Sequence, residues 1–154
     1  MKILVAVAVV VLVFLISGQT QAQEGGNTYL FGNFADGKVI AAEKDHIVWV
    51  GEFSGANFNT KGSGFMHNTG MRCPGLNHIK DGTAQADGYC ILTDGEGDIA
   101  VSRWECSGPA MGSCVGTFKW LSGTGKYATL KGGGRIYGGA SLPNGTGYTF
   151  WSND

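Results

Sequence analysis

Three side chains of types that perform acid–base chemistry lie in stretches whose pattern is typical of β-strands. Glu52 stands among apolar residues, His67 sits in GFMHNTGM, and Arg103 directly precedes a tryptophan. A carboxylate with apolar neighbours can have a raised pKa, and a neutral imidazole can accept a proton near pH 7. We therefore treat Glu52, His67 and Arg103 as catalytic candidates, with Glu52 paired to one of the other two. The alternatives are outward alternation for Glu52 and hydrogen-bonded filling of a barrel for His67.

Alternating acids in the segment DGEGD, residues 94–98, offer oxygen ligands of the kind that calcium prefers. Asp94, Glu96 and Asp98 are the three carboxylates. A complete EF-hand loop would also need a later glutamate, which is missing here. A hairpin turn accounts for the same residues, so both interpretations stay open. Apart from this calcium candidate we predict no metal and no cofactor.

The first residues are typical of a secretory signal. Lys2 precedes an apolar run over residues 3–16, which is shorter than the roughly 20 residues a membrane span needs. Small residues then stand before a cleavage point after Ala22. We predict a signal peptide over 1–22 and one mature domain over 23–154, with an uncleaved anchor as the alternative. The expected location is secreted or periplasmic.

Four cysteines in an exported chain favour two disulfides. Asp81-Gly82 is a hairpin signal, and a hairpin centred there sets Cys73 opposite Cys90 at a distance that a disulfide can bridge. Cys106 and Cys114 are symmetric about Ala110, so we pair them with each other. Zinc is the alternative, although the spacings contain no CxxC pair.

Short runs of aromatic and β-branched residues alternate with glycine-rich turns through the mature chain, which contains 26 of the 27 glycines. This pattern predicts strands joined by local hairpins. Only residues 41–47 could form a single helical turn. The predicted strands are 28–34, 46–53, 55–60, 64–73, 84–93, 98–106, 126–131, 134–138 and 147–151.

Trp104 is predicted to lie between two glycines. A hairpin centred on Glu96 sets Gly88 opposite Trp104, and one centred on Ala110 sets Gly116 opposite it on the other side. Missing side chains leave room for the indole to lie across its neighbours. The same face carries a mainly apolar set and is therefore the predicted core: Ala86, Cys90, Leu92, Ala100, Cys106, Phe118 and Trp120.

The segment LSGTGKYATLKGGG, residues 121–134, lacks the spacing of a phosphate-binding P-loop. It resembles the GGTGKF/Y segment of dirigent proteins and their allene oxide cyclase relatives. The DGxGD turn and the WxC strand before it extend the likeness over about residues 84–138, to small exported bacterial proteins with that barrel. The resemblance implies a calycin-like, eight-stranded antiparallel barrel, in which the glycine turn leads into a strand. It carries no catalytic position onto this chain.

From these patterns we predict an all-β fold, a single antiparallel up-and-down barrel of about eight strands. Such a barrel is either filled by side chains or leaves room for one ligand. We predict a non-enzymatic protein whose cavity binds a small apolar or aromatic molecule between four rings: Trp49, Trp104, Phe118 and Trp120. The alternatives are a cyclase, isomerase or dirigent-like enzyme acting in the cavity, and a packed structural or surface-interaction module.

The charge balance bears on the partners. Loss of Lys2 with the signal leaves a formal charge of −2, and no basic cluster is present. Nucleic-acid binding usually needs such a cluster. We therefore predict no nucleic-acid partner, and no attachment to membranes once the signal is cleaved.

Overall fold

Eight consecutive antiparallel strands form a closed barrel in this computed structural model, which describes residues 26–110 and 113–153. Each strand pairs with the next, and the last pairs back with the first. The predicted all-β class and up-and-down barrel are therefore confirmed. The strands are β1 (Asn27–Glu43), β2 (His46–Asn59), β3 (Thr69–Lys80), β4 (Thr83–Thr93), β5 (Ile99–Pro109), β6 (Val115–Gly123), β7 (Gly133–Ser141) and β8 (Thr146–Asn153).

The predicted signal peptide, residues 1–22, lies outside the described residues. Within the part of the chain that the structure describes, no helix has the length and hydropathy required to span a membrane.

Residues with a left-handed backbone make the tightest hairpin turns. Asp81 and Gly82 have φ values of 49° and 76°, as a two-residue turn between twisted strands requires. This turn fixes the β3–β4 register, in which Gly75 lies opposite Gly88 and Cys73 is bonded to Cys90. The predicted disulfides Cys73–Cys90 and Cys106–Cys114 are both present.

The prediction that Trp104 lies between Gly88 and Gly116 is half right. Gly88 is opposite Trp104, but Phe118 occupies the position on the other side. The prediction was wrong because it took the two bonded cysteines as direct cross-strand partners. Cys106 instead lies opposite Gly116, so its bond to Cys114 runs diagonally across the hairpin.

The indole of Trp104 lies over two glycines on the β3 and β4 side. A Cβ atom at Gly75 or Gly88 would stand 2.8 or 2.9 Å from Cζ2 of Trp104. Both positions therefore need glycine to make room for the ring, as the sequence predicted for Gly88.

Three local predictions were wrong. Residues 41–47 form the β1–β2 hairpin, with Asp45 at φ 63°, and make no helical turn. Residues 64–68 are a turn, because Met66 and Asn68 have positive φ values that a strand excludes. Residues 126–131 contain part of the 3₁₀ helix Gly125–Tyr127 and a loop, so the glycine turn does not lead directly into a strand.

The two ends of the barrel differ. We call one the plugged end; it is formed by the connections 61–68, 94–98 and 124–132. Met66, Tyr127 and Leu130 are buried there, and the ring of Phe65 meets those of Trp120 and Tyr127 edge to face. We call the other the hollow end; it is formed by the connections at 44–45, 81–82 and 142–145 and by the described residues of the β5–β6 connection, 110, 113 and 114.

Candidate functional site

A cavity of about 150 Å³ lies inside the barrel, towards the hollow end. Residues of the 110–114 connection and of both strands of the β7–β8 hairpin border it. Its wall is mainly apolar and comes from seven strands and the β5–β6 connection: Leu30, Phe34, Phe53, Cys73, Asn77, Ala84, Ala86, Cys90, Trp104, Cys106, Pro109, Ala110, Cys114, Ile136, Gly139, Ser141, Tyr148, Thr149 and Trp151.

Small side chains at inward positions explain why the space is empty. Ala84 and Ala86 of β4 project from the strand next to Asn77 on β3, and Gly139 contributes no side chain from β7. An eight-stranded barrel is only just wide enough for side chains to fill it, so a few small residues leave a void. The sulfurs of both disulfides also belong to this wall, which ties three of its strands and the 110–114 connection together.

Three polar atoms in the cavity wall lack hydrogen-bond partners. They are Oδ1 of Asn77 and the Nε1 atoms of Trp104 and Trp151, all shielded from solvent. By contrast, Nε1 of Trp120 donates to Oδ1 of Asn153 at 3.1 Å. A buried polar group without a partner costs free energy, so each such group needs an explanation. Here the three residues that carry one acceptor and two donors all line the same void, although the unpartnered atoms themselves are covered.

Of the four rings predicted to line a ligand cavity, only Trp104 borders this one. Phe118 is buried and stacks on Trp151 with ring centroids 4.4 Å apart. Trp120 packs edge to face against Phe118 and Phe65, towards the plugged end. Trp49 lies against Gly37 and Gly51, outside the cavity wall. For Phe118 and Trp120 the prediction selected the correct face of the sheet but did not resolve which half of the barrel is hollow.

The three catalytic candidates do not border the cavity either. Glu52 points outward and accepts two hydrogen bonds of 2.7 Å from Nε and a terminal nitrogen of Arg72. This guanidinium lowers the pKa of Glu52, so the raised pKa suggested by its apolar neighbours is wrong. Arg103 pairs with Asp87 at 2.7 Å and lies over the ring of Tyr89, also on the outer face.

His67 lies in the 61–68 connection at the plugged end. Its ring meets that of Phe58 edge to face at 5.9 Å, and its Nδ1 is shielded without a partner. Glu52 instead pairs with Arg72, and Arg103 with Asp87. The geometry therefore does not assemble the predicted acid–base pair from these residues.

The carboxylates of Asp94, Glu96 and Asp98 converge as predicted, with one oxygen of each within 4.8 Å of the others. The ammonium of Lys126 pairs with Asp94 at 2.7 Å and with Glu96 at 3.0 Å, and so supplies the positive charge. Its hydrogen bond lowers the pKa of Asp94 from 3.8 to about 2. This arrangement favours the hairpin interpretation over calcium.

Asp94 also organises the turn itself. Its Oδ1 accepts hydrogen bonds from the backbone N–H groups of Glu96 and Asp98, and Oδ2 of Asp98 accepts one from the N–H of Lys126. The acids thus connect the β4–β5 turn to the 124–132 connection beside it.

Sequence reasoning missed Asn77 and Trp151 as site residues. Trp151 stands in a predicted strand but received no role. Asn77 lies outside every predicted strand and also received no role. The hairpin at Asp81-Gly82 carries the missing signal, because its register sets Asn77 opposite Ala86 on the core face.

Comparisons with known proteins do not identify the chain. No protein-family model matches it, and no curated protein is significantly similar in sequence.

Proposed function

We propose that this protein binds one small, mainly aromatic molecule that carries a hydroxyl group, in the cavity at the hollow end of the barrel. The observation that carries the proposal is the set of three unpartnered polar atoms on residues of a mainly apolar wall. Ligand pockets typically combine an apolar lining with a few polar groups that orient the guest.

The size of the cavity limits the guest. Dry apolar cavities of about 150 Å³ in protein cores can hold one benzene-sized molecule. A single-ring compound therefore fits, whereas a fused polycyclic compound would need the wall to move.

The polar atoms define the chemistry of the guest. A phenolic hydroxyl can accept a hydrogen bond from an indole N–H and donate one to an amide oxygen. Nε1 of Trp104 or Trp151 would donate to the hydroxyl, and Oδ1 of Asn77 would accept from it. A hydrocarbon of the same shape would leave these groups unsatisfied.

The composition of the wall supports binding rather than acid–base catalysis. Among the described residues that border the cavity there is no Asp, Glu, His, Lys or Arg. A cyclase or isomerase acting by proton transfer would need a titratable group within hydrogen-bond reach of its substrate. The cysteines of the wall are bonded to each other, and Tyr148, the remaining titratable residue among the described ones that border the cavity, packs its ring against the exposed Phe31. We therefore favour a binding protein over an enzyme.

We further propose that the protein acts outside the cytoplasm, because two disulfides fit an exported chain. Kinship with allene oxide cyclase-like and dirigent-like barrels is likewise a proposal. It is supported by the closed eight-stranded barrel that the resemblance implies and by the sequence of the GTGKY segment, although Gly125–Tyr127 of that segment form a 3₁₀ helix and a loop follows before the next strand.

Titration with phenol and with toluene, followed through the NMR signals of the tryptophan indole N–H groups, tests the proposal. We expect saturable shifts at Trp104 and Trp151, and binding of phenol about 30-fold tighter than toluene, since one donor and one acceptor are satisfied at about 1 kcal/mol each. Trp120 is the internal control, because its N–H already donates to Asn153. Absence of saturable shifts with both compounds would refute the proposal.

The variant Trp104→Phe removes one donor while keeping an aromatic ring. We expect it to reduce the preference for phenol over toluene, with toluene affinity changed less. If the preference is unchanged in Trp104→Phe and also in Trp151→Phe, the indole N–H groups do not orient the guest.

A further inference from the structure

A continuous group of aromatic side chains covers one side of the outer barrel surface, and we call it the aromatic wall. It spans β7, β8, β1 and β2, and its rings contact one another with centroids 4.8 to 6.3 Å apart. The members are Tyr29, Phe31, Phe58, Tyr137, Tyr148 and Phe150. The alternation of the strands turns these rings outward, because Leu30, Asn57, Ile136 and Trp151 are buried. Tyr148 also borders the cavity, but its ring packs against Phe31 and the residue is 43% exposed.

The exposed area of the wall is large for the surface of a monomer. Five of its side chains are between 38% and 52% exposed. At about 200 Å² for a fully exposed ring side chain, these fractions amount to about 440 Å² of aromatic surface. Patches of this size on soluble proteins are often functional.

The charge distribution favours a second copy of the same chain as the partner. Outer positions on β2 to β5 carry the ion pairs Arg72–Glu52 and Arg103–Asp87, whereas the wall itself carries no charge. In a two-fold dimer the same patch meets itself, so charges near the axis would face like charges. An uncharged aromatic patch avoids this repulsion, and aromatic residues are enriched at protein interfaces.

The shape and the area of the aromatic wall also favour a second copy of the chain as the partner. Ring planes within it are inclined to each other by 30° to 56°, which makes a ridged surface suited to interdigitation and unsuited to stacking one flat ligand. A stable interface buries about 800 Å² per partner. The rings supply about half of that, and the outward residues around them can supply the rest: Asn33, Ser54, Arg135, Thr146 and Ser152.

We propose that two copies of this chain associate through the aromatic wall in a two-fold symmetric dimer. Phe31 is the anchor, because it contacts Tyr29, Phe58 and Tyr148 and is 48% exposed. Buried aromatic anchors near the centre dominate the affinity of such interfaces. This inference is independent of the proposed ligand.

Analytical ultracentrifugation of the mature chain tests the dimer. Interfaces of standard size bind with micromolar or tighter Kd, so at about 50 μM we expect a species of twice the chain mass. Phe31→Glu should raise the dissociation constant of the dimer at least tenfold, because the new charge would be buried against apolar rings. The matched control is Tyr89→Glu, at a site 46% exposed on the outer face of β4, which should stay dimeric.

The outcomes separate cleanly. Near-ultraviolet circular dichroism should show that Phe31→Glu keeps the native fold, and Phe31→Ser replaces it if it does not. A monomeric wild-type chain at about 50 μM would overturn the inference, and the aromatic wall would then bind another class of partner. A dimer that persists in Phe31→Glu, or that dissociates equally in Tyr89→Glu, places the interface elsewhere.

Discussion

Filling the cavity should stabilise the barrel and abolish binding at the same time. Ala86 borders the void from β4, between Asn77 on one neighbouring strand and Cys106 on the other. Ala86→Leu adds three carbon atoms, and each buried methylene contributes about 0.8 kcal/mol. Ordering the leucine side chain costs about 0.5 to 1 kcal/mol. We expect the free energy of unfolding to rise by about 1.5 kcal/mol.

The same substitution should weaken phenol binding at least tenfold, because the new side chain occupies the space of the guest. Urea denaturation with intact disulfides measures the stability, and the indole N–H titration measures the binding. The control is Gln85→Leu, which places leucine on the exposed face of the same strand. It should leave phenol affinity unchanged and alter stability by less than about 0.5 kcal/mol.

Two results would refute this reasoning. A loss of more than about 1 kcal/mol in Ala86→Leu would show that the site is already filled, since overpacking destabilises a core. Unchanged phenol binding would show that the guest is held somewhere other than the space beside Ala86.

Three further substitutions test interactions that stabilise the barrel: an ion pair, a disulfide and a buried hydrogen bond. Asp94→Asn keeps the Oδ1 acceptor but removes the ion pair with Lys126. The folded-state pKa of Asp94 is depressed, so the ion pair stabilises the fold fully above the ordinary pKa of 3.8 and loses its effect as the pH falls to about 2. The difference in stability between the wild type and Asp94→Asn should therefore shrink over that pH interval. Acid titrations followed by circular dichroism measure this difference. Joint replacement of Cys73 and Cys90 by alanine should cost about 3 kcal/mol in urea denaturation, because a 17-residue loop is no longer closed; an unchanged midpoint would contradict this. Asn57→Ala should lower the free energy of unfolding by about 2 kcal/mol and accelerate amide hydrogen exchange in residues 61–68, because Nδ2 of Asn57 donates to the carbonyl of Met66 at 2.6 Å. An equal acceleration in β4 would mean that the whole barrel is destabilised rather than this connection.

The sequence was most informative where the chemistry of a turn is local. Asp81-Gly82 can adopt the left-handed backbone that a two-residue hairpin needs, so it determined the β3–β4 register and with it the Cys73–Cys90 bond. The inward face of β4 followed from the same register. These features depend on a few adjacent residues and on strand alternation.

Features that depend on distant contacts could not be predicted. Met66 has a φ of 55°, which is unfavourable for its side chain, and its carbonyl accepts hydrogen bonds from Asn57 and Thr69. Thr69 lies in the same segment, but nothing in GFMHNTGM shows that Asn57 supplies the other hydrogen bond. The positions of Phe118 and Trp120 relative to the cavity could not be predicted for the same reason. Strand alternation predicts that both face the interior, but not how far along the barrel axis they lie from the cavity.

The buried side chains of Met66, Tyr127 and Leu130 close one end of the barrel interior. The proposed ligand would therefore enter and leave through the same opening at the hollow end, so a second molecule could occupy the space only after the first had gone. Backbone hydrogen bonds from Asp81 to Asp45 and from Ala110 to Gly82 brace that opening. Under the proposed function, the residence time of a bound molecule would be governed by how often these turns separate, which favours retention of single molecules over their passage.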